Sequence, residues 1–238
     1  MISLEGQFVC QKCGYNMIGY YPQFCPFCGA SNENFITAKK CSKRYKIISS
    51  KVNDNISRLY SYPSLGLEHS AYCIKVNNSN IWIDCPASFD EDLDPMDKIL
   101  FTHHHFLGAC NLYRGYYTAF VWIHKNDSKH SLAKNYHFDR KFSQNFKLSG
   151  IEAFHINGHT SGFTFYIFED TMFICDYLIK SGERFILNPY SQLHTTKEGA
   201  MKLKEIIQNR EIEIVCGVNY VIKYQIWKKE FINLLDYY

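Results

Sequence analysis

Short apolar runs separated by turn-forming polar clusters fill the chain from about Tyr45 onward, and they read as strands. Ser70–Val76 and Asn80–Asp84 predict two strands joined by the turn Asn77-Asn78-Ser79. Lys98–Phe101 has the length and composition of a buried strand, and Ala119–His124 is strand-like. Ile151–Ile156 alternates as a half-buried strand does, and Phe163–Phe168 with Thr171–Cys175 reads as a hairpin across Glu169-Asp170. Ile212–Val215 is a further strand. Helical spacing marks three places. Gly108–Tyr117 reads as a short helix. Thr195–Gln208 offers a capping box from Thr195 and Glu198 and an apolar face of Met201, Ile206 and Ile207. The C-terminal stretch carries Trp227, Phe231, Leu234 and Leu235 on one stripe. Pro86–Asp97 and Ser128–Phe142 are polar and show no clear period.

Composition narrows the class. With 238 residues there is room for one large domain plus a small module, and 46% hydrophobic residues can build a sizeable core. A net charge of +3 is too mild for a nucleic-acid surface. Met1–Gly6 lacks a basic and an apolar signal region, and no apolar run approaches the ~18 residues of a membrane span. The expected location is therefore cytoplasmic, without a membrane or nucleic-acid partner. In that reducing compartment, metal ligation is the better default for the ten cysteines than disulfides.

Cys10 and Cys13 form one CxxC pair, and Cys25 and Cys28 a second. Gly14 follows the first and Gly29 the second, as in paired turns that aim N–H groups at thiolates. Four thiolates in this spacing predict a tetrahedral metal site. The pattern CxxCGY…CPxCGA resembles the rubredoxin-like module of the rubrerythrin family, which implies one iron and one-electron transfer. Tyr15 and Pro26 favour that side, although zinc ribbons share the spacing. The expected organisation is a module over residues 1–31, a polar linker over 32–45 with Cys41 incidental, and a second domain over 46–238.

The second domain is organised around Thr102–Gly108, THHHFLG. On extended backbone, His103 and His105 point the same way while His104 turns aside, which is half of a metal site. Downstream come Gly158-His159-Thr160-Ser161-Gly162 and a strand ending in Asp176. This order, with Asp84 behind its own strand, resembles the metallo-β-lactamase superfamily over roughly Leu67 to the C-terminus. The resemblance implies an α/β fold, an αββα sandwich preceded by the small module. It further implies a first metal on His103, His105 and His159, Asp176 as the bridging carboxylate, and Asp84 ordering the site loop. His124 and His155 lie outside the motif.

The departures from that family are specific. Leu107 stands where the HxHxDH motif has Asp, Gly108 where it has the last His, and Val218 where a late PGHG motif has His. A dinuclear hydrolase is therefore not expected. The remaining His105, His159 and Asp176 match a facial triad, similar to the mononuclear iron of persulfide dioxygenases in the superfamily. Cys85, Cys110, Cys175 and Cys216 fall near the same loop ends, either as small apolar fillers or as a thiolate-rich pocket for a soft metal. The expectation is an iron-dependent oxidoreductase acting on a small molecule, with a redox partner protein and a homodimer both compatible. Two alternatives stay open. One is a mononuclear zinc hydrolase of thioester or ester-type bonds with a structural zinc ribbon, and the other is a non-catalytic descendant.

Overall fold

The structure, a computed structural model, describes residues 4–67, 69–182 and 184–237. The chain forms two compact units, residues 1–123 with 128–142, and residues 124–127 with 143–238.

The first unit opens with β1 (Gln7–Cys10), β2 (Asn16–Ile18) and β3 (Phe35–Thr37), antiparallel in the order β2-β1-β3. The polar stretch after residue 31 carries a 3-10 turn at Asn32–Asn34, then β3, then α1 (Ala38–Arg44). The Thr37 hydroxyl caps α1 by accepting from Lys40 N–H, while Ala38 and Cys41 bury its inner side. A seven-stranded sheet follows: β4 (Lys46–Lys51), β5 (Ile56–Tyr62), β6 (Ala71–Val76), β7 (Ser79–Ile83), β8 (Lys98–Leu100), β9 (Phe120–His124) and β10 (Arg140–Phe142). Its order is β10-β9-β8-β7-β6-β5-β4. Strands β4 to β7 form an antiparallel meander. The β6–β7 turn needs left-handed backbone at both Asn77 (φ 48°) and Asn78 (φ 63°), which asparagine tolerates. Strands β7, β8 and β9 run parallel, so the loops after β7 and β8 leave from one edge of the sheet. Helix α2 (Cys110–Tyr117) makes the β8–β9 crossover and buries Cys110, Leu112 and Tyr113. Val9 and Met17 of the small sheet share one apolar core with Trp82, Phe101 and Tyr113.

The second unit holds β11 (Phe146–Leu148), β12 (Ile151–His155), β13 (Thr164–Phe168), β14 (Thr171–Cys175), the hairpin β15 (Leu178–Ser181) and β16 (Arg184–Leu187), α3 (Leu193–Ile207), β17 (Ile214–Gly217), β18 (Val221–Lys223) and α4 (Tyr224–Tyr237). Its six-stranded sheet has the order β11-β12-β13-β14-β17-β18. Every residue of β13 and β14 is buried, which explains their continuous apolar runs. The β14–β17 register shifts between Phe173 and Cys175, and Cys175 takes left-handed backbone (φ 48°). That kink ends the strand immediately before Asp176.

Helix α3 corrects two expectations. It begins at Leu193 behind Gln192, and Thr195 bonds the carbonyls of Gln192 and Gly158 instead of closing a capping box with Glu198. Its buried side is Thr196, Gly199, Ala200, Leu203 and Ile207, whereas Met201 is exposed. Gly199 lies where a Cβ would stand 2.3 Å from the Tyr177 hydroxyl, so a small residue and not Met201 defines the packed face. In α4, Trp227 and Phe231 are fully buried, as the stripe predicts. Among the described residues no helix is long and apolar enough to cross a membrane.

Candidate metal centres

Two groups of potential metal ligands occur among the described residues: Cys10, Cys13, Cys25 and Cys28, and His103, His105, His159 and Asp176.

The cysteine group is built by two turns of the same design. Cys10 N–H donates to Tyr15 O and Gly14 N–H to Cys10 O; Cys25 N–H donates to Ala30 O and Gly29 N–H to Cys25 O. Both glycines sit at positive φ, 79° and 74°, which the turn demands. Sulfur–sulfur separations are 3.7 Å for Cys10–Cys28 and 3.6 Å for Cys13–Cys25, and all four ligand atoms lie within 4.8 Å of one another. Tyr15 N–H points at Cys13 Sγ from 3.5 Å. Four sulfurs this close suit one tetrahedral thiolate-bound ion, zinc or iron. The cluster is consistent with a rubredoxin-like module. Cys28 alone is exposed.

In the first unit β8 ends at Leu100, so the three histidines sit in the following loop and not on the strand pleat. His103 and His105 still converge, with ring centroids 4.7 Å apart, while His104 stacks on His130 at 3.8 Å. Asp84 organises this loop. Its carboxylate accepts from Thr102 N–H at 2.9 Å and from the Thr102 hydroxyl at 2.9–3.0 Å, and it does so from left-handed backbone (φ 60°). The hydroxyl proton is thereby committed to Asp84. At 2.9 Å from Thr102 Oγ1, His103 Nδ1 must be the donor, so Nε2 is the nitrogen that could ligate a metal.

In the second unit His159 Nε2 lies 3.3 Å from Asp176 Oδ2, and both residues are buried. Asn188, which sequence reasoning missed, orients them. Its side-chain N–H groups donate to Asp176 Oδ2 at 2.9 Å and to Asp176 O at 3.1 Å. Tyr190 N–H donates to Asn188 Oδ1 and fixes which way the amide faces. The loop bearing His159 is anchored by a second missed residue, buried Asp127, which accepts from the Thr160 hydroxyl at 2.8 Å and from Gly162 N–H at 3.1 Å. Gly158 (φ 110°) is obligatory, because a Cβ there would meet the Tyr177 hydroxyl at 2.3 Å. Beside this loop, His124 stacks on His155 at 4.0 Å and accepts from Asn126 N–H. Burial first, and then His155, pulls the His124 pKa down to about 4, so it packs as a neutral ring. No spacing rule points to Asn188 or Asp127; only the Asn-Pro turn signal at 188–189 marks the former.

The positions that depart from the resembled motif, 107, 108 and 218, are closed by packing. Leu107 is buried, and a Cβ on Gly108 (φ 52°) would fall 2.3 Å from Pro86 O and 2.5 Å from Cys85 O. Val218 is buried, and its N–H donates to Cys175 O. The cysteines near these loop ends, Cys85, Cys110, Cys175 and Cys216, are all buried, neither group of potential ligands includes them, and burial pushes the Cys85 and Cys110 thiols well up, away from thiolate.

No family model and no curated protein matches the sequence. Solved structures do match. The chain is similar to a metallo-β-lactamase from Pontibacter korlensis (TM-score 0.65, 13% identity, 80% of this chain and 99% of that one). It is similar to the metallo-β-lactamase FIM-1 from Pseudomonas aeruginosa in its mono-zinc form (TM-score 0.64, 9% identity, 92% and 98%). A flavo di-iron protein variant from Thermotoga maritima also matches (TM-score 0.59, 13% identity, 80% and 60%). The chain therefore has the metallo-β-lactamase fold, the mixed α/β class expected from its motifs.

Proposed function

We propose that His103, His105, His159 and Asp176 hold one metal ion, and that the chain is an iron-dependent oxidoreductase whose electrons arrive through the four-cysteine centre. One observation carries this reading. Phe27 lies between Cys25 and Cys28, and its ring meets the His105 ring edge-on at 5.5 Å, inside the first unit. A thiolate centre in ring contact with a candidate ligand of another metal is an arrangement for exchanging electrons within one chain.

The residues fit such a group chemically. Imidazole nitrogens with one carboxylate suit mononuclear iron or zinc, and iron would supply one-electron chemistry at an open coordination position. The chain's own parts have separable tasks. His105, His159 and Asp176 would hold the ion together with His103, whose Nδ1 is engaged by Thr102 so that Nε2 would ligate, and Asn188 keeps Asp176 turned toward His159. Leu107, in place of an acid/base carboxylate, leaves that loop without a group to orient a hydrolytic water. The substrate in this reading is a small molecule, reduced or oxidised with the help of a protein electron donor.

The likeness to a mono-zinc metallo-β-lactamase favours a second reading, a zinc hydrolase in which Asp176 takes the base role. Metal analysis with an absorption spectrum, on protein purified without added metal, separates the two. About two irons per chain with the red bands of iron–tetrathiolate is the expected result. Colourless protein holding zinc alone would overturn the oxidoreductase. One metal per chain, lost in Cys25→Ser and retained in His105→Ala, would leave the His/Asp set without an ion and the protein without this chemistry.

A further inference from the structure

The small sheet and the histidine loop are joined at three places beyond the shared apolar core, all within the first unit. Phe27, on the second cysteine turn, packs on His105 and stacks on Tyr15 at 6.4 Å. Buried Tyr136 directs its hydroxyl to Asn16 O at 3.0 Å and to Gly108 O at 3.2 Å, so one side chain ties the end of the first cysteine turn to the end of the histidine loop. The backbone at Gly66 lies against the first cysteine turn, where a Cβ would stand 2.5 Å from Cys13 C and Gly14 N. Three residues on, His69 donates to Cys85 O at 2.8 Å and stacks on Phe106 at 4.4 Å, immediately after His105. Asn16 closes the frame, donating to Gly14 O and to Ala87 O.

We infer that Phe27 and Tyr136 are positioning residues for the histidine ligands, through which the ordered four-cysteine centre sets the metal affinity of the His/Asp site. The physical basis is that loop ligands reach a productive geometry only when neighbouring side chains fix them. Partners of this kind outside the ligand set are typically worth about 10–100-fold in metal affinity. His105 is the half-buried member of the set, and its ring is restrained by Phe27 on one side and the rings of His103 and His104 on others. Gly108 has left-handed backbone, and its carbonyl is steered by Tyr136, so that loop end has one arrangement. A zinc or iron ion in the cysteine centre would rigidify the turns carrying Phe27 and Asn16, and the histidines would feel it.

This inference rests on the His/Asp metal reading, and its test keeps the two apart. Full-length chain carrying one zinc in the cysteine centre is titrated with Co2+ in equilibrium dialysis, with the ligand-field absorption recorded. The wild type is expected to take up one Co2+ that His105→Ala abolishes. Phe27→Ala and Tyr136→Phe are expected to keep the zinc, weaken Co2+ uptake about tenfold or more, and shift the ligand-field bands, while Phe27→Tyr restores both. Unchanged affinity and unchanged bands in Phe27→Ala and Tyr136→Phe would overturn the positioning role while leaving the metal site standing. Absence of any His105-dependent Co2+ uptake in the wild type would overturn both. If Phe27→Ala sheds its zinc, Tyr136→Phe, which removes a single oxygen atom, decides alone.

Discussion

The two ligand groups in this protein are built by opposite strategies. The cysteine centre is local: its four ligands lie within Cys10–Cys28, and two short turns with matching hydrogen bonds orient them. The histidine and aspartate set is dispersed. Its members are spread from His103 to Asp176, and they are aimed by residues distant in sequence, Asp84 for the His103 loop and Asn188 for Asp176. A local centre is oriented by the hydrogen bonds of its own turns. A dispersed one depends on loop conformations that small side chains and single hydrogen bonds decide, and here packing closes the loop at Leu107 and Gly108.

The sharpest test of this contrast is removal of one local ligand. Cys25→Ser is expected to lose the whole metal equivalent of that centre, because three thiolates do not hold what four hold, and to lower the melting temperature of the chain through the core shared with the sheet. Metal analysis and calorimetry read both; an unchanged melting temperature would mean that the module is stable without its ion. Next in size is Gly108→Ala. A methyl 2.3 Å from Pro86 O, on left-handed backbone, is expected to cost several kcal/mol, at or above the ~4 kcal/mol that marks exceptional substitutions. Leu107→Asp combined with Gly108→His is accordingly expected to yield less folded protein and no second metal ion, and a gain of one ion would refute the closed-loop reading.

Smaller effects are expected in the residues that aim the dispersed set. Asn188→Ala and Asp84→Asn should each weaken metal binding by about 10–100-fold while secondary structure is retained, as measured by competition with a chelator of known affinity. The smallest effect is a pH dependence. His124 is held neutral, with a pKa of about 4 against about 6.5 in the unfolded chain, so the unfolded state binds the proton more readily. Its contribution to stability is present above pH 6.5 and is lost progressively as pH falls toward 4. Melting temperatures across that window should flatten in His124→Gln.

Much of the fold was legible because the apolar runs are short, strongly patterned and bounded by turn residues. The β6–β7 turn, the hairpin before Asp176 and the α4 stripe fall where periodicity places them. Helix α3 was less legible, since its packed face is chosen by Gly199 and Ala200 against Tyr177 and not by its largest apolar residues. The histidine pair converges in a loop held by Asp84 and Thr102, not through the strand alternation that its sequence suggests.

The sequence by itself marked the candidate ligands. Cysteine spacing with paired glycines defines a local centre, because four thiolates on two turns need no distant partner. The order HxH, GHTSG and strand-ending Asp marks His103, His105, His159 and Asp176 as candidate ligands, through the family resemblance those motifs carry. Only the tertiary structure decided the rest: which nitrogen of His103 is available, what turns Asp176, why no side chain fits at Gly108, and that Phe27 of the cysteine centre rests on His105. These depend on contacts between residues a dozen or more positions apart, which carry no periodic signal and exist only once the chain has closed on itself.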